Sequence, residues 1–375
     1  MSIELSHLKK CQELVHKVNL NLKGTRVLTE CASGGYLYTP ILALMAGAER
    51  VFAYGRDTRF GSFKDNETAL LKIAKHLNLT NRITCISNQD LLLDAASEID
   101  FATNSGMLRP FTRDTLARFK PGAFVSLMWE PWEFRPGDID LEFCQQNNIP
   151  IVGANELGER LSMENYPFFL FTKGAHAMDC MIANQSIAVV GGFLTGQLIS
   201  QKLTSLGVEH KWFAKEPNDH AITFESMHEL LSLDNLDLLV FAEHLQSDLL
   251  IGEQAAISFR QLKNKFPSLK VVHICGNVDA AELKGSELQY YPANIQPFGY
   301  MSFQPADFSV NPALELNTIG LKAAEVFGRA FRPARDYQHA IKTAIDAGYA
   351  LDFAGGFFNY KARDIDSHSM MESPV

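Results

Sequence analysis

The 375-residue sequence is dominated by two series of short apolar runs. Within each series, helical patterns separate one apolar run from the next. The first series begins at residues 26–30 and ends at residues 149–156, and the second extends from residues 186–190 to residues 270–276. Strands that alternate with helical patterns of about 10–15 residues are typical of parallel sheets with right-handed crossovers. The sequence therefore predicts an α/β protein with two parallel sheets.

A helical stretch at residues 157–184 separates the two series, and an amphipathic helix is predicted at residues 314–331. We expect that late helix to return to the first sheet. The predicted organisation is a first Rossmann-like lobe over residues 1–155, completed by a C-terminal return over residues 320–375. A second lobe of the dinucleotide-binding type covers residues 185–315, and a cleft between the lobes is expected to hold the ligand.

Composition and charge exclude several classes of function. Lys and Arg number 34 against 43 Asp and Glu, so the formal net charge is −9, which disfavours a general nucleic-acid binder. No run approaches the ~20 apolar residues of a membrane span, and the first residues lack the apolar block of a signal peptide. The sequence contains neither a CxxC nor an HExxH spacing, so it predicts no metal site. We expect a cytoplasmic protein with a small-molecule substrate, no nucleic-acid or membrane partner, no metal, and a homodimeric assembly.

The strongest motif is the turn VVGGFLTG at residues 189–196, directly after a predicted strand. A dinucleotide fingerprint needs glycine at the tight turn, at the approach of the pyrophosphate, and at the contact of helix and strand. Gly191 and Gly196 fit the first and third places, whereas Phe193 occupies the second, with Gly192 beside it. Glu216 lies where an acid binds the ribose 2′-hydroxyl and favours NAD over NADP. The turn predicts NAD or NADP as cofactor, and a lobe that has lost the nucleotide is the alternative.

A second glycine turn, ECASGGYLYTP at residues 30–40, precedes the predicted strand that ends in YGRD at residues 54–57. This spacing resembles the first motif of class I S-adenosylmethionine methyltransferases, in which Asp57 would stand near the ribose-binding acid. FKPGAFVSL at residues 119–127 resembles a later strand of that family. The alternatives are a purely structural turn and a substrate pocket at the carboxyl ends of the strands.

From Asn155 onward, the order of features resembles the S-adenosylhomocysteine hydrolase family and its relatives, the D-2-hydroxyacid dehydrogenases. The family's Asn-Asp, Lys and Asp-Asn are matched in NELGERLSMENY by Asn155, Glu156, Arg160, Glu164 and Asn165. HICGNVDAAE at residues 273–282 is similar to the family's Gly-His-Phe-Asp segment, with Asn277 in place of histidine. The resemblance covers residues 155–285 and implies bound NAD, with Asn277 toward the cofactor and the residues of the 155–165 segment toward the substrate.

The departures from this family fall on its proton-transfer groups. In the family, NAD takes a hydride from a sugar hydroxyl while Lys and Asp handle the protons. Arg160 keeps its proton, so it is expected to clamp an anion and not to act as a base. Asn277 cannot titrate, and Glu164 keeps a carboxylate with a longer reach. The resemblance therefore implies either a changed activity or a lobe retained for its shape.

Three further residues are candidates for chemistry. His176 lies at the expected hinge, and an imidazole is a side-chain type suited to proton transfer. Glu130 follows a strand between two tryptophans, where partial burial would raise its pKa. Arg56 presents a guanidinium suited to a carboxylate or phosphate.

We predict an NAD(P)-linked oxidoreductase-like enzyme that acts on a small anionic metabolite. One alternative is a non-catalytic bilobal subunit that binds a ligand or a partner. The other is an S-adenosylmethionine-dependent methyltransferase that uses the first lobe.

Overall fold

The computed structural model describes residues 4–131, 134–135, 137–158, 161, 163–192, 195–215, 221–303, 307 and 309–353. The chain divides into two compact units: unit 1 combines Met1–Met163 with Phe308–Val375, and unit 2 is Glu164–Asp307. Unit 2 is thus inserted into the chain of unit 1. Among the described helices, none is both long enough and apolar enough to cross a membrane.

Each unit is built around its own sheet. The strands are β1 (Arg26–Glu30), β2 (Arg50–Tyr54), β3 (Ile83–Ile86), β4 (Phe101–Thr103), β5 (Phe124–Ser126), β6 (Ile151–Ala154), β7 (Ile187–Val190), β8 (His210–Ala214), β9 (Ile222–Thr223), β10 (Leu238–Ala242), β11 (Lys270–Cys275), β12 (Gln289–Tyr291) and β13 (Ala350–Leu351). Most of their residues are buried, as expected of parallel strands covered by helices on both faces.

The two sheets share one topology. Unit 1 has the order β13-β6-β5-β4-β1-β2-β3, in which β13 alone of these strands is antiparallel to its neighbour. Unit 2 has the order β12-β11-β10-β7-β8-β9, with parallel pairing throughout. Counted within each unit, both sheets follow the 3-2-1-4-5-6 order of the Rossmann fold. The predicted α/β class with two Rossmann-like parallel sheets is therefore confirmed.

Helices connect the strands. They are α1 (Leu5–Lys17), α2 (Thr39–Met45), α3 (Phe63–His76), α4 (Gln89–Ala96), α5 (Arg113–Leu116), α6 (Leu141–Gln146), α7 (Tyr166–Ala177), α8 (Thr195–Ser205), α9 (Phe259–Lys265), α10 (Ala280–Gly285), α11 (Val310–Ala334) and α12 (Tyr337–Asp346). Short 3₁₀ helices cover Gly34–Tyr38, Thr80–Arg82 and Phe224–Ser232. The polar caps follow the usual chemistry; for example, Ser258 and Gln261 form a complete capping box at α9.

Helix α11 covers one face of the unit 1 sheet. Gly320 lets the helix approach Met128, because a Cβ at that position would lie 2.5 Å from the Met128 methyl carbon. The ring of Phe327 packs edge-on at 4.9 Å from that of Phe124 in β5. The N-terminal turn of α11 also lies on the first glycine turn, where a Cβ at Gly35 would meet the Ala313 side chain. The glycines of that turn therefore serve close packing with α11.

Candidate functional site

The topology identifies one candidate ligand-binding edge in each unit. In a doubly wound sheet, ligands bind at the carboxyl ends of the strands where the strand order reverses. That point lies between β1 and β4 in unit 1, and between β7 and β10 in unit 2. Each of the two β-strand pairs is followed by loops that carry buried polar side chains.

Two glycines of the turn after β7 occupy positions that exclude a side chain. Gly191 has a φ of 150°, and a Cβ there would overlap the carbonyl group of Ala242 in β10. A Cβ at Gly196 would overlap the carbonyl oxygen of Gly191, so glycine is what allows α8 to start against the strand. These are the roles of the first and third fingerprint glycines. Phe193 and Glu216 lie outside the described residues.

A carboxylate of the chain itself binds this turn. Glu243, directly after β10, is only 1 % exposed. Its Oε2 accepts the Gly192 N–H at 2.7 Å, while its Oε1 accepts the N–H groups of Leu245 at 2.7 Å and Gln246 at 3.0 Å. The Trp212 indole N–H in turn donates to the Gly191 carbonyl at 2.7 Å. A donor that a nucleotide phosphate would use is therefore already engaged by a like-charged group.

One residue after β11 and one within it hold the loops at this edge. The Asn277 amide donates to the Ser247 carbonyl at 2.8 Å, which ties together the loops after β10 and β11. His273, fully buried in β11, lies 3.1 Å through Nε2 from the Gly276 carbonyl and 2.7 Å through Nδ1 from the Ser302 hydroxyl. Because a carbonyl only accepts, Nε2 carries the proton and Nδ1 accepts from Ser302. Burial lowers the pKa of His273 to about 4, so the ring is a neutral structural element.

In unit 1, a buried acid ends the first strand. Glu30 is 4 % exposed, and burial raises its pKa to about 7. The nearby charge of Arg109, the Met107 N–H and the Ser105 hydroxyl oppose that rise. The carboxyl group thus titrates near neutrality at the point where the strand order reverses. Glu30 is not among the site residues predicted from the sequence, although a charged side chain that closes an apolar strand is a visible signal.

Asn104, Arg109 and Trp129, in the segments after β4 and β5, each carry a buried N–H donor that has no acceptor among the described residues. The Asn104 Oδ1 accepts the Met128 N–H at 2.8 Å, and no group of the described residues accepts a hydrogen bond from its Nδ2. The Arg109 guanidinium lies 4.7 Å over the Trp129 ring. Neither the Arg109 Nε nor the Trp129 Nε1 has a hydrogen-bond partner among the described residues. We call Asn104, Arg109 and Trp129 the donor cluster, and it lies where β4 and β5 end.

The predicted residues of unit 1 lie at the same edge of the sheet. Glu130 is 3 % exposed and accepts the Glu156 N–H at 3.1 Å. Asn155 accepts the Leu157 N–H at 3.1 Å and donates to the Gly348 carbonyl at 3.3 Å, so its amide holds two loops together. Arg56, half-buried directly beyond β2, makes no hydrogen bond or ion pair within the described part of the chain.

Asp57 serves the local structure. Its Oδ1 accepts the Phe63 N–H at 2.7 Å, at the first residue of α3. A carboxylate at a helix N-terminus satisfies a free amide and favours the helix dipole. This contact gives Asp57 a structural role at the place where the methyltransferase alternative requires a ribose-binding acid.

The remaining predicted residues lie at the two ends of α7 or outside the described residues. Glu164 is exposed before the helix, and Asn165 is its half-buried N-cap residue, without a side-chain capping bond. His176 is exposed in the last turn. Arg160 lies outside the described residues. Their proposed roles in substrate binding and proton transfer stay predictions.

A pocket of about 640 Å³ lies at the opposite edge of the unit 1 sheet. It borders the residues just before β5 and β6, and its lining includes Phe119, Phe143, Tyr337, Lys120 and Arg335. Ligands of doubly wound sheets bind at the carboxyl edge. The pocket is therefore separate from the candidate site.

The comparison with known proteins finds similarity among solved structures. No family model matches the sequence, and no curated protein matches it. The dipicolinate synthase A chain from Bacillus halodurans is 12 % identical with a TM-score of 0.48, covering 80 % of this chain and 96 % of that chain. The corresponding dipicolinate synthase chain from Bacillus subtilis is 14 % identical with a TM-score of 0.49, over 83 % and 97 % of the two chains. A 2-hydroxyacid dehydrogenase from Ketogulonicigenium vulgare Y25 is 12 % identical with a TM-score of 0.45, over 83 % and 97 %. The 2-hydroxyacid dehydrogenases that the sequence resembles thus occur among these structures.

Proposed function

We propose that the chain is an NAD(P)-linked oxidoreductase-like enzyme that acts on a small anionic metabolite. The observation that carries this proposal is the backbone of Gly191 and Gly196 at the carboxyl end of β7. Both glycines lie where any side chain would collide with backbone, and both fill their fingerprint roles. In this proposal Gly191, Gly192 and Gly196 hold the dinucleotide, and Glu216 and Asn277 assist them.

Unit 1 supplies groups suited to the substrate. Arg56 and the donor cluster present N–H donors that match an anion. Nicotinamide chemistry exchanges a hydride with the substrate, and the coupled proton needs a group that titrates near neutrality. Glu30, with its pKa near 7, meets that requirement at the carboxyl edge of unit 1. Glu130 and His176 are the further proton carriers proposed from the sequence, and Asn155, Arg160, Glu164 and Asn165 are the proposed contacts of the substrate.

The contacts of Glu243 favour a second candidate, a non-catalytic protein that keeps the two-unit fold and binds a ligand without a dinucleotide. A pyrophosphate at the glycine turn would compete with the Glu243 carboxylate for the Gly192 N–H. Two charges of the same sign at such short range repel strongly where water is excluded. In this candidate the carboxylate permanently replaces the phosphate.

Glu243→Gln distinguishes the two candidates. The glutamine oxygen still accepts the N–H groups of Leu245 and Gln246, but its NH₂ group cannot accept the Gly192 N–H. That donor becomes available to a phosphate, and the negative charge is removed. If the dinucleotide proposal is right, NAD or NADP binds the unaltered chain, and the variant binds it about tenfold more tightly, which corresponds to ~1.4 kcal/mol.

The experiment is titration calorimetry with NAD, NADP and S-adenosylmethionine. Glu229→Gln is the matched control, because Glu229 is an exposed acid of the same unit. Absence of NAD and NADP binding in both the unaltered chain and Glu243→Gln would reject the oxidoreductase and support the non-catalytic candidate. Binding of S-adenosylmethionine alone would support the methyltransferase alternative.

A further inference from the structure

We propose that the pocket beside the starts of β5 and β6 in unit 1 binds a small aromatic carboxylate. We call it the amino-edge pocket. The proposal goes beyond the proposed function and does not depend on it, because the pocket is separate from the candidate site and its described lining belongs to unit 1 alone.

The first argument is the size of the pocket and the chemistry of its walls. Its volume of about 640 Å³ lies within the range of about 300–1,000 Å³ that is usual for small-molecule sites. Its lining includes the half-buried aromatic residues Phe119, Phe143 and Tyr337. Two of these rings are held from behind: the Phe119 ring packs edge-on at 6.3 Å from the Phe111 ring, and the Tyr337 hydroxyl donates to Asp352 at 3.0 Å. Walls of this kind fit a flat apolar ring.

The second argument is an arginine whose charge is not balanced. Arg335 lines the pocket, and its side chain makes no hydrogen bond or ion pair within the described part of the chain. Its Nε lies 3.7 Å from the place that a Cβ would take at Gly122, so the side chain extends over the turn before β5. The adjacent acid, Asp336, is engaged elsewhere, because it accepts the His339 N–H at 3.1 Å and caps α12. The guanidinium therefore keeps its donors for a ligand.

The third argument is the charge of the lining. The described lining residues include no Asp or Glu, and their two cationic side chains are Lys120 and Arg335. The Lys120 ammonium lies 3.0 Å from the Asp100 carboxylate and donates to the Glu98 carbonyl at 3.1 Å, so its charge is already paired. One positive charge remains, and a guanidinium can bind a carboxylate through two parallel hydrogen bonds. The pocket therefore favours a ring that carries a single carboxylate.

The fourth argument is the backbone of Arg335. This residue ends α11 with a φ of 53° and a ψ of 33°, in the left-handed region. Helices that end in this conformation usually have glycine there, because a side chain costs free energy in it. The pocket lining contains two other residues with positive φ, Gly122 and Asn148, and both are residue types that tolerate this region. An arginine at such a position indicates that its side chain is used.

The test is titration calorimetry with sodium benzoate, together with saturation-transfer NMR on the benzoate ring protons, at constant ionic strength. Acetate, benzyl alcohol and phenyl phosphate are then added as competitors. Benzoate should bind saturably, and each competitor should displace it only at a concentration at least about tenfold higher, because acetate lacks the ring, benzyl alcohol lacks the charge and phenyl phosphate is a dianion. Absence of saturable benzoate binding would overturn the proposal. Displacement by acetate or phenyl phosphate at a concentration below that of benzoate would overturn it as well.

Arginine variants locate the binding. Arg335→Gln keeps the length of the side chain but removes its charge, and it should weaken benzoate binding at least about tenfold. Arg56→Gln is the matched control, because Arg56 also makes no hydrogen bond or ion pair among the described residues but lies at the carboxyl edge, directly beyond β2. Arg56→Gln should leave benzoate binding unchanged. The reverse pattern would assign benzoate to the carboxyl edge and overturn the proposal.

Arg335→Gly separates binding from stability. Glycine adopts the left-handed backbone without steric cost, so this variant should unfold at a higher urea concentration and still bind benzoate at least about tenfold more weakly. Glu287→Gly is the control, since Glu287 is another exposed charged residue with a positive φ, 61°, but lies in unit 2; it should leave benzoate binding unchanged. Unchanged benzoate binding by Arg335→Gly would overturn the proposal. No measurement here involves the glycine turn of unit 2, so a failure of dinucleotide binding leaves the benzoate result intact.

Discussion

Replacing Glu30 by glutamine is expected to stabilise unit 1 in alkaline solution. The side chain is 4 % exposed, and glutamine has the shape of the protonated acid. The Ser105 hydroxyl and the Met107 N–H can still donate to its carbonyl oxygen. The substitution therefore removes the cost of a buried charge while most of the local hydrogen bonds remain.

The magnitude follows from the pKa of Glu30, which burial raises from 4.5 to about 7. Below pH 4.5 the acid is protonated in both the folded and the unfolded chain, so its charge costs nothing. Between pH 4.5 and 7 the unfolded chain loses the proton first, and the stability of the native protein falls as pH rises. Above pH 7 the whole penalty is present, about 3 kcal/mol at about 1.4 kcal/mol per pKa unit.

Urea unfolding at pH 5 and pH 8.5 measures this effect, with the Trp129 indole signal reporting on unit 1. Glu30→Gln should gain about 3 kcal/mol at pH 8.5 and less than about 1 kcal/mol at pH 5, relative to the unaltered chain. Glu13→Gln removes an exposed acid and should change the free energy of unfolding equally at both pH values. An equal effect of Glu30→Gln at the two pH values would refute the reasoning.

Two further substitutions test the packing of each unit. Gly196→Ala should destabilise unit 2 by at least about 2 kcal/mol in urea unfolding, because the added Cβ would overlap a backbone carbonyl. Gly285→Ala is the control: no atom lies within 4 Å of the added Cβ, so it should be neutral in the same experiment. Lys322→Met should cost about 2 kcal/mol, because it removes the buried cation that lies 2.9 Å from the carboxylate of Glu325, which keeps Arg329 and the Asn21 N–H as partners. Lys342→Met breaks only an exposed pair and should cost less than about 1 kcal/mol; equal losses for the two lysines would contradict this explanation.

Much of the fold was predictable because the central strands are buried on both faces. The predicted strand at residues 26–30 is β1, and the predicted run at residues 270–276 contains β11. Such strands are continuous apolar runs, which a sequence displays directly. The edge strands β9, β12 and β13 are only two or three residues long and depend on pairing with a neighbour. Their formation could not follow from local sequence.

The candidate site was predictable only where backbone geometry imposes a residue type. Gly191 and Gly196 were identified by spacing, because a side chain at either position collides with backbone. Glu243 was overlooked although it closes a predicted apolar strand. Its role depends on the Gly192 amide, which is 51 positions away along the chain. Long-range contacts of this kind are set by the order of the strands, which the sequence pattern leaves open.

The donor cluster illustrates the same limit in unit 1. Asn104 and Trp129 belong to loops that follow β4 and β5, and they become neighbours because those strands pair in parallel. Nothing in the local sequence marks an asparagine amide or an indole as unmatched. An N–H donor without an acceptor can be recognised only when the acceptors around that donor are known.

The insertion of unit 2 into unit 1 determines the order in which the two units can be completed during synthesis. Domains fold as units as the chain leaves the ribosome. Residues 164–307 have all emerged before α11, which covers Met128 and Phe124 in unit 1, has been made. Unit 2 is therefore the first to have its whole sequence available for folding. The apolar face of the N-terminal sheet that contains Phe124 stays uncovered until residue 334 has emerged. This face is therefore the part of the nascent chain that needs protection for longest.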